Sequence, residues 1–397
     1  MKNDKITEKI LKYALDLQEY LVNIRRTIHS NPELGYEEHA TCTYIKRQLE
    51  GLDIDIQTLT ETDVVALIKG NENGKTLLIR ADIDALPIEE KTGLSFSSKN
   101  FGKMHACGHD AHTAILIGAV KILSQMRENL KGNIKFLFQP AEEAPNGART
   151  MVDSGVLKNP DVAAAVATHV WPDIPAGKYG VRVGGVMAAP DFYFLKIQGK
   201  GGHGAQPEKC IDPILIGHEI YEAFQNIPTH TIGVLTPVVV SVTKFQAGTA
   251  NNVFPDVCLM EGTVRSYDKD IHPQLPSILE KIIKSITERH GALYEFNYRG
   301  NCPSVNNDAT MADIAANAIT KLFGPGAIVP TPYAAMGGDD FSVLIENVPG
   351  VYFWTGIYND TEKSIYPLHH PKFTIDESIL SRTSAVMAQI ALDYFDA

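Results

Sequence analysis

The sequence predicts an α/β protein, a mixed and largely parallel sheet covered by helices on both faces, interrupted by an inserted α+β unit of ferredoxin-like order. Two observations carry this reading. Apolar runs of strand length alternate with helical stretches in the first and last parts of the chain, the signature of strands buried on both faces. Between about 187 and 300 the rhythm changes to strand, helix, two strands, helix, strand, which is the ferredoxin-like order.

Taken in turn, two amphipathic helices open the chain over about 5–29 and 37–50. Four apolar runs follow as buried strands: VVALI at 64–68, TLLIRA at 76–81, IKFLF at 134–138 and VAAAVA at 162–167. Helical stretches lie near 111–128 and 146–154. In the inserted unit FYFLKIQG is a strand and 211–226 a helix. VVVSVTKFQAG and VCLMEGTVRS form a strand pair, 274–290 is a helix and LYEFNYR a strand. The first pattern then resumes with a helix at 308–322, the strand VYFWTG at 351–356 and a closing helix, for which Thr374 and Glu377 have capping-box spacing. The expected organisation is a discontinuous domain, 1–186 and 301–397, carrying an insertion at 187–300.

Composition narrows the function. The 397 residues are 44% hydrophobic and 21% charged, as in an ordinary globular protein, with a net charge of -11. No cluster of Lys and Arg offers a surface to nucleic acid. The N-terminal stretch has charges throughout and no apolar region of a signal peptide, and no segment approaches a membrane span. Five scattered cysteines, an odd number, argue against a disulfide framework and for a reducing, cytoplasmic setting.

Polar residues converge where a parallel sheet binds its ligands, beyond the carboxyl ends of the strands. TLLIRA runs into Asp82 and Asp84, IKFLFQPA into the adjacent Glu142 and Glu143, and VAAAVAT into His169. MHACGHDAH packs Cys107, His109, Asp110 and His112 into six positions before an apolar helix, and LHHPKF adds His369 and His370. Thiolate, imidazole and carboxylate together are the inventory of a divalent metal site, acceptable to Zn, Mn, Co or Ni. Adjacent glutamates suggest a division of labour, one binding metal and its neighbour acting as general base on a water bridging two cations. Cys107 would bind as thiolate.

With these residues in view, the chain resembles the M20 metallopeptidase clan, and within it the aminoacylase and hippurate hydrolase branch that includes plant auxin-conjugate hydrolases. The segments that carry the likeness are RRTIHSNPELGYEE, RADIDALPIEE, MHACGHDAHTA, FQPAEEAPNGA, HVWP, GKGGHGAQPE, NNVFPD, GTVRS, MGGDDFS and LHHPKF, in order across residues 25–373. The resemblance implies a zinc-peptidase-like catalytic domain with two divalent metal ions per subunit, held by Cys107, His109, Glu143, His169 and His369. It implies Glu142 as general base and Asp84 as the carboxylate that orients a ligand, and it leaves Asp82 outside the ligand set. The insertion resembles the family's lid and dimerisation domain, so a homodimer or homotetramer is expected through it. There His203 matches a residue that stabilises the tetrahedral oxyanion, in its own or a partner's site. Asn252 and Arg265 match positions that engage a substrate carboxylate, and Gly337 and Gly338 a loop beside the substrate. One departure is Asp339-Asp340, where the family pattern has Glu-Asp.

The implied activity is hydrolysis of the amide bond of an N-acyl amino acid, acetyl, benzoyl or similar. A dipeptidase or carboxypeptidase of the same clan would instead seat a free α-amino group near the metals, and Cys107 argues for the acyl-amino-acid reading. A binding protein that had lost catalysis would be expected to lack the general base or a ligand, and here every position is filled.

Overall fold

The computed structural model describes residues 2–70, 74–330, 334–361 and 364–397. The chain forms two compact units, one of Met1–Gly184, Asn306–Tyr333 and Asp340–Ala397, the other of Gly185–Val305 with Ala334–Asp339.

The first unit is built on an eight-stranded sheet. Its strands run in the order Asp55–Gln57, Val64–Ile68, Asn133–Gln139, Thr76–Asp82, Val162–Pro175, Gly350–Tyr358, Tyr179–Gly180, Ile328–Val329. The four central strands, from Asn133–Gln139 to Gly350–Tyr358, are mutually parallel. Asn133–Gln139 and Thr76–Asp82 are buried along their whole length, which is why their sequences show no alternation. Helices Lys2–His29, His109–Ser124, Ala309–Phe323 and Ile379–Asp396 pack on one another and share one apolar core with the sheet. His109–Ser124 is buried almost all round, as expected of a helix between a sheet and other helices.

The capping box expected at the last helix does not form. That helix starts at Ile379, and the Ser378 amide donates to Asp376 Oδ1 at 2.9 Å. Glu377 instead accepts from Arg26 Nη2 at 2.6 Å and Arg25 Nη1 at 3.0 Å. Charged donors outcompete a neutral backbone amide for a carboxylate.

The second unit is a four-stranded antiparallel sheet in the order Val238–Ala247, Val257–Ser266, Ala189–Gln198, Leu293–Arg299. Its first strand in sequence is separated from its second by the third, the split arrangement of a ferredoxin-like unit. Alternate residues of Ala189–Gln198, among them Tyr193, Leu195 and Ile197, are buried with Ile216, Ile220, Phe224, Leu279 and Ile283 of the helices Pro213–Asn226 and Leu275–His290. The first of these helices begins two residues later than its pattern suggests, because Asp212 caps it by accepting from the Ile214 amide and Pro213 takes the first helical position.

Candidate metal centre and lid residues

The candidate site residues of the first unit come from five chain segments. Thr76–Asp82 ends on Asp82, and Asn133–Gln139 is followed by Pro140, Ala141, Glu142 and Glu143. His169 is not at a strand end as its sequence suggests. It lies within Val162–Pro175, beside Trp354 of the neighbouring strand. Between Cys107 and His109, Gly108 has φ +89°, and a Cβ there would stand 2.4 Å from Val170 Cγ2. Only glycine allows this turn, which presents the thiol and the imidazole on either side of it. Of the five non-glycine residues in the left-handed conformation among the described residues, two lie in these segments, Ala141 (φ 59°) before Glu142 and His369 (φ 64°). Such backbone strain concentrates at functional sites. It is held here by the Ala141 amide donating to Glu38 Oε1 at 2.8 Å and the His369 amide to the Ala106 carbonyl at 2.8 Å.

The side chains meet in three overlapping triads, each with its ligand atoms within 4.8 Å of one another: Cys107, His109 and His169; Cys107, Glu143 and His369; His109, Glu142 and Glu143. Cys107 Sγ lies 3.3 Å from His169 Nε2, and His369 Nε2 lies 3.1 Å from Glu143 Oε1. Asp84 spans the group, taking a hydrogen bond from His109 Nδ1 at 3.1 Å and one from the Glu143 amide at 2.9 Å. His109 Nε2 is left buried with no hydrogen-bond partner among the described residues, Asp82 Oδ2 standing 3.8 Å away. His169 donates Nδ1–H to the Val170 carbonyl at 2.7 Å, leaving Nε2 toward the thiol. A carboxylate behind His109 and a carbonyl behind His169, each leaving Nε2 turned toward the other candidate ligands, is how metal-binding histidines are oriented. These residues therefore fit a divalent cation, and the orphaned His109 Nε2 is the atom that most requires one.

Electrostatics point the same way. Burial disfavours a charged His109, yet Asp82 and Asp84 override it and push its pKa up to about 10. The pocket thus stabilises positive charge at this spot. Burial, then the Glu143 and Glu142 carboxylates, push the Cys107 thiol well above its ordinary range. A thiolate here needs a cation beside it. Burial also opposes ionisation of Asp82, but His109 and Arg80 hold its carboxyl well below the usual range.

Two neighbouring histidines are used otherwise. His370 stacks on Tyr366, ring centroids 4.6 Å apart, and its Nδ1 accepts from the Lys372 amide at 3.0 Å. His112 forms a further triad with Asp82 and His109, but its Nδ1 lies 2.6 Å from Asp82 Oδ1 and the Val170 amide donates to its Nε2 at 2.9 Å.

Sequence reasoning missed the buried charges behind the turn. Asp110 Oδ2 accepts from Arg25 Nε and from His29 Nδ1, both at 2.8 Å. A second network joins Arg80 to Asp82 (2.6 Å), Gln139 (2.9 Å) and Asp340 (2.9 Å). Asp340, from the motif with the Asp-Asp departure, also accepts from the Ala148 amide at 2.6 Å. The signal available was the presence of Arg25, His29, Arg80 and Asp110 inside the quoted motifs.

The remaining candidate residues, His203, Asn252, Arg265, Gly337 and Gly338, lie in the second unit. His203 pairs with Val253 in a two-stranded ladder, and the Gly204 amide donates to the Asn252 carbonyl at 2.8 Å, so His203 and Asn252 are adjacent. The Ala205 amide donates to His203 Nδ1 at 3.1 Å. Arg265 stacks over Phe192, 5.3 Å from the ring centroid. Its Nε donates to the Met336 carbonyl at 3.2 Å, and its Nη1 to Thr263 Oγ1 and to the Asp191 and Val264 carbonyls. Nη2 has no hydrogen-bond partner among the described residues. The Gly337 carbonyl accepts from the Ala188 amide at 2.8 Å, and a Cβ on Gly338 would stand 2.4 Å from Pro190 Cγ, a packing reason for that glycine.

Residues 78–393 match the peptidase family M20/M25/M40. The chain belongs to that family. It is 42% identical over 374 residues to an N-acetylcysteine deacetylase of Bacillus subtilis, covering 94% of this chain and 96% of that protein. It is 43% identical over 304 residues to an N-acyl-L-amino acid amidohydrolase of Geobacillus stearothermophilus, covering 76% and 82%. Among solved structures, a dinuclear metal binding peptidase of the M20 family from Bacillus subtilis superposes with a TM-score of 0.85 at 39% identity, over 96% of this chain and 99% of that one. This M20 protein is therefore a metal-dependent amidohydrolase or peptidase, as the resemblance implied. No helix among its described residues is long and apolar enough to cross a membrane.

Proposed function

We propose that this M20 hydrolase cleaves the amide bond of N-acyl amino acids, using two divalent cations held by Cys107, His109, Glu143, His169 and His369. The observation that carries the reading is the set of triads sharing Cys107, His109 and Glu143, with Glu142 adjoining and His109 Nε2 without a hydrogen-bond partner among the described residues. When bound, the cations supply Lewis acidity and lower the pKa of water. Glu142 takes a proton from the attacking water as the oxygen–carbon bond forms, and returns it to the nitrogen as the carbon–nitrogen bond breaks. Asp84 holds His109 by its Nδ1 and Glu143 by its amide, fixing both before substrate arrives.

Within the lid we assign two binding roles. His203 accepts the Ala205 amide on Nδ1, so a neutral ring carries its proton on Nε2 and is a donor there. That is the form required of an oxyanion donor. Arg265 is fixed through Nε and Nη1 and keeps Nη2 for a carboxylate, with Asn252 and the Gly337–Gly338 loop as further contacts. The names of the deacetylase and amidohydrolase relatives support the substrate class. We further assign self-association through the lid domain, cytoplasmic residence, and Zn, Mn, Co or Ni as the metal.

The test is a panel of N-acetyl, N-benzoyl and longer N-acyl amino acids beside free dipeptides, run on metal-reconstituted protein. Preferential hydrolysis of N-acyl amino acids is expected. Turnover of dipeptides alone would reassign the protein to the peptidases of its family.

A further inference from the structure

His112 has the residue type and the place of a metal ligand, three positions after His109, yet neither nitrogen is free to bind one. The Val170 amide donates to Nε2 at 2.9 Å, so the lone pair there is spent. The ring's single proton then sits on Nδ1, which donates to Asp82 Oδ1 at 2.6 Å. This is a neutral imidazole with one fixed tautomer, 1% exposed.

The Val170 amide faces an edge where the sheet supplies no backbone acceptor. Strand Thr76–Asp82 pairs with Val162–Pro175 only as far as Arg80 opposite Ala167. Beyond Ala167 that edge has no backbone ladder, and a buried amide without a partner is costly. His112 Nε2 takes its place at Val170. The carbonyl of the same residue accepts Nδ1–H of His169 at 2.7 Å. The two peptide groups of Val170 thus each lock one histidine, and the second lock leaves His169 Nε2 facing Cys107 Sγ at 3.3 Å. The rings agree: His112 lies against His169 with centroids 4.5 Å apart and against His109 at 5.4 Å.

The far end of the clamp is anchored. Asp82 Oδ2 is held by Arg80 Nη1 at 2.6 Å, and Arg80 by Gln139 Oε1 and Asp340 Oδ1, both at 2.9 Å. Arg80 and Asp82 are 1% and 0% exposed. Buried charges are a poor source of stability and a good source of fixed geometry. Together with His112 they connect three adjacent parallel strands at the level of the metal centre.

We infer that His112 is a positioning residue of the metal centre, clamping the Val170 peptide to the anchored Asp82 and thereby fixing the strand segment and the tautomer with which His169 meets the cation. The inference rests on the metal-centre reading above.

Its test compares wild type with His112→Gln and His112→Asn. A glutamine amide carries one acceptor and one donor at the spacing of the two ring nitrogens and can serve both Val170 and Asp82. Asparagine is too short to reach both. Cobalt(II) is titrated into chelator-stripped protein against a competing chelator. Binding is followed by the thiolate-to-cobalt absorption of Cys107 and by tryptophan fluorescence. The chain has two tryptophans, Trp171 and Trp354, stacked at 4.5 Å, with the Trp171 ring centroid 6.3 Å from that of His169. His112→Asn should weaken binding by ~10–100-fold, as loss of a group behind a ligand typically does, with the number of ions per chain unchanged. His112→Gln should recover most of that loss. Equal affinity in all three proteins, or a glutamine variant no better than the asparagine one, would overturn the inference. So would loss of one ion per chain in His112→Gln, which would make His112 a ligand. A wild type that binds no cobalt would overturn the metal-centre reading beneath it, and is distinguished by that alone.

Discussion

Alanine at position 108 is the sharpest perturbation of the turn that presents Cys107 and His109. Two costs are separable. With φ at +89°, an L-residue pays ~1–2 kcal/mol for the left-handed conformation. The new Cβ would also lie 2.4 Å from Val170 Cγ2, and overpacking of a buried site costs ~1–3 kcal/mol. The sum, ~2–5 kcal/mol, is a large share of a typical stability of ~5–15 kcal/mol. Urea unfolding of the chelator-treated protein measures it without contribution from bound metal. A double-mutant cycle with Val170→Ala separates the parts, since truncating Val170 relieves the clash and leaves the φ cost. The expected coupling is ~1–3 kcal/mol in favour of the double variant. Gly108→Ala within ~0.5 kcal/mol of wild type, or a cycle with no coupling, would refute this account of the turn.

Glu142→Gln should keep its metals and lose ~10²–10⁴-fold in turnover, because an amide cannot take the proton, whereas Glu143→Gln should weaken metal binding; metal analysis beside kcat separates them, and a near-active Glu142→Gln would reassign the base. In the lid, His203→Ala should lower kcat ~10²–10³-fold with metal content unchanged. Arg265→Ala should chiefly raise KM, more for substrates with a free carboxylate than for their amides; equal effects on both substrate types would remove the carboxylate assignment. Glu38 is buried, and burial, with the Asp84 charge adding to it, raises its pKa from 4.5 to about 7. The folded state therefore keeps a proton that the unfolded chain loses. The stabilisation is complete below about pH 4.5 and is lost as pH rises through about 7. Glu38→Gln should then gain ~1–3 kcal/mol on wild type between pH 5 and pH 8, at ~1.4 kcal/mol per pKa unit; a constant difference across that range in urea unfolding would contradict it.

The central strands were legible because Thr76–Asp82 and Asn133–Gln139 are buried on both faces and leave mainly apolar runs, with Arg80 and Lys135 as buried exceptions. The inserted unit was legible because its strands alternate and its helices are amphipathic. The ligand candidates were legible for a different reason: several segments each offer metal-compatible groups, and the family resemblance selects five residues among them. What stayed hidden depends on partners distant in sequence. Arg25 meets Asp110 across 85 positions, and Arg80 meets Asp340 across 260. The role of His112 turns on which amide reaches its Nε2, and His169 falls in mid-strand because its strand outruns its neighbour. Local spacing also misled at Glu377, where two arginines claim the carboxylate that a capping box would have used.

Metal content measured beside activity decides whether bound cations carry the hydrolysis. Protein reconstituted with a divalent cation, freed of excess metal and assayed on an N-acetyl amino acid should carry two ions per chain by elemental analysis. Chelation should abolish hydrolysis, and returning the metal should restore it. Full hydrolytic activity in protein shown to contain no metal would contradict the account.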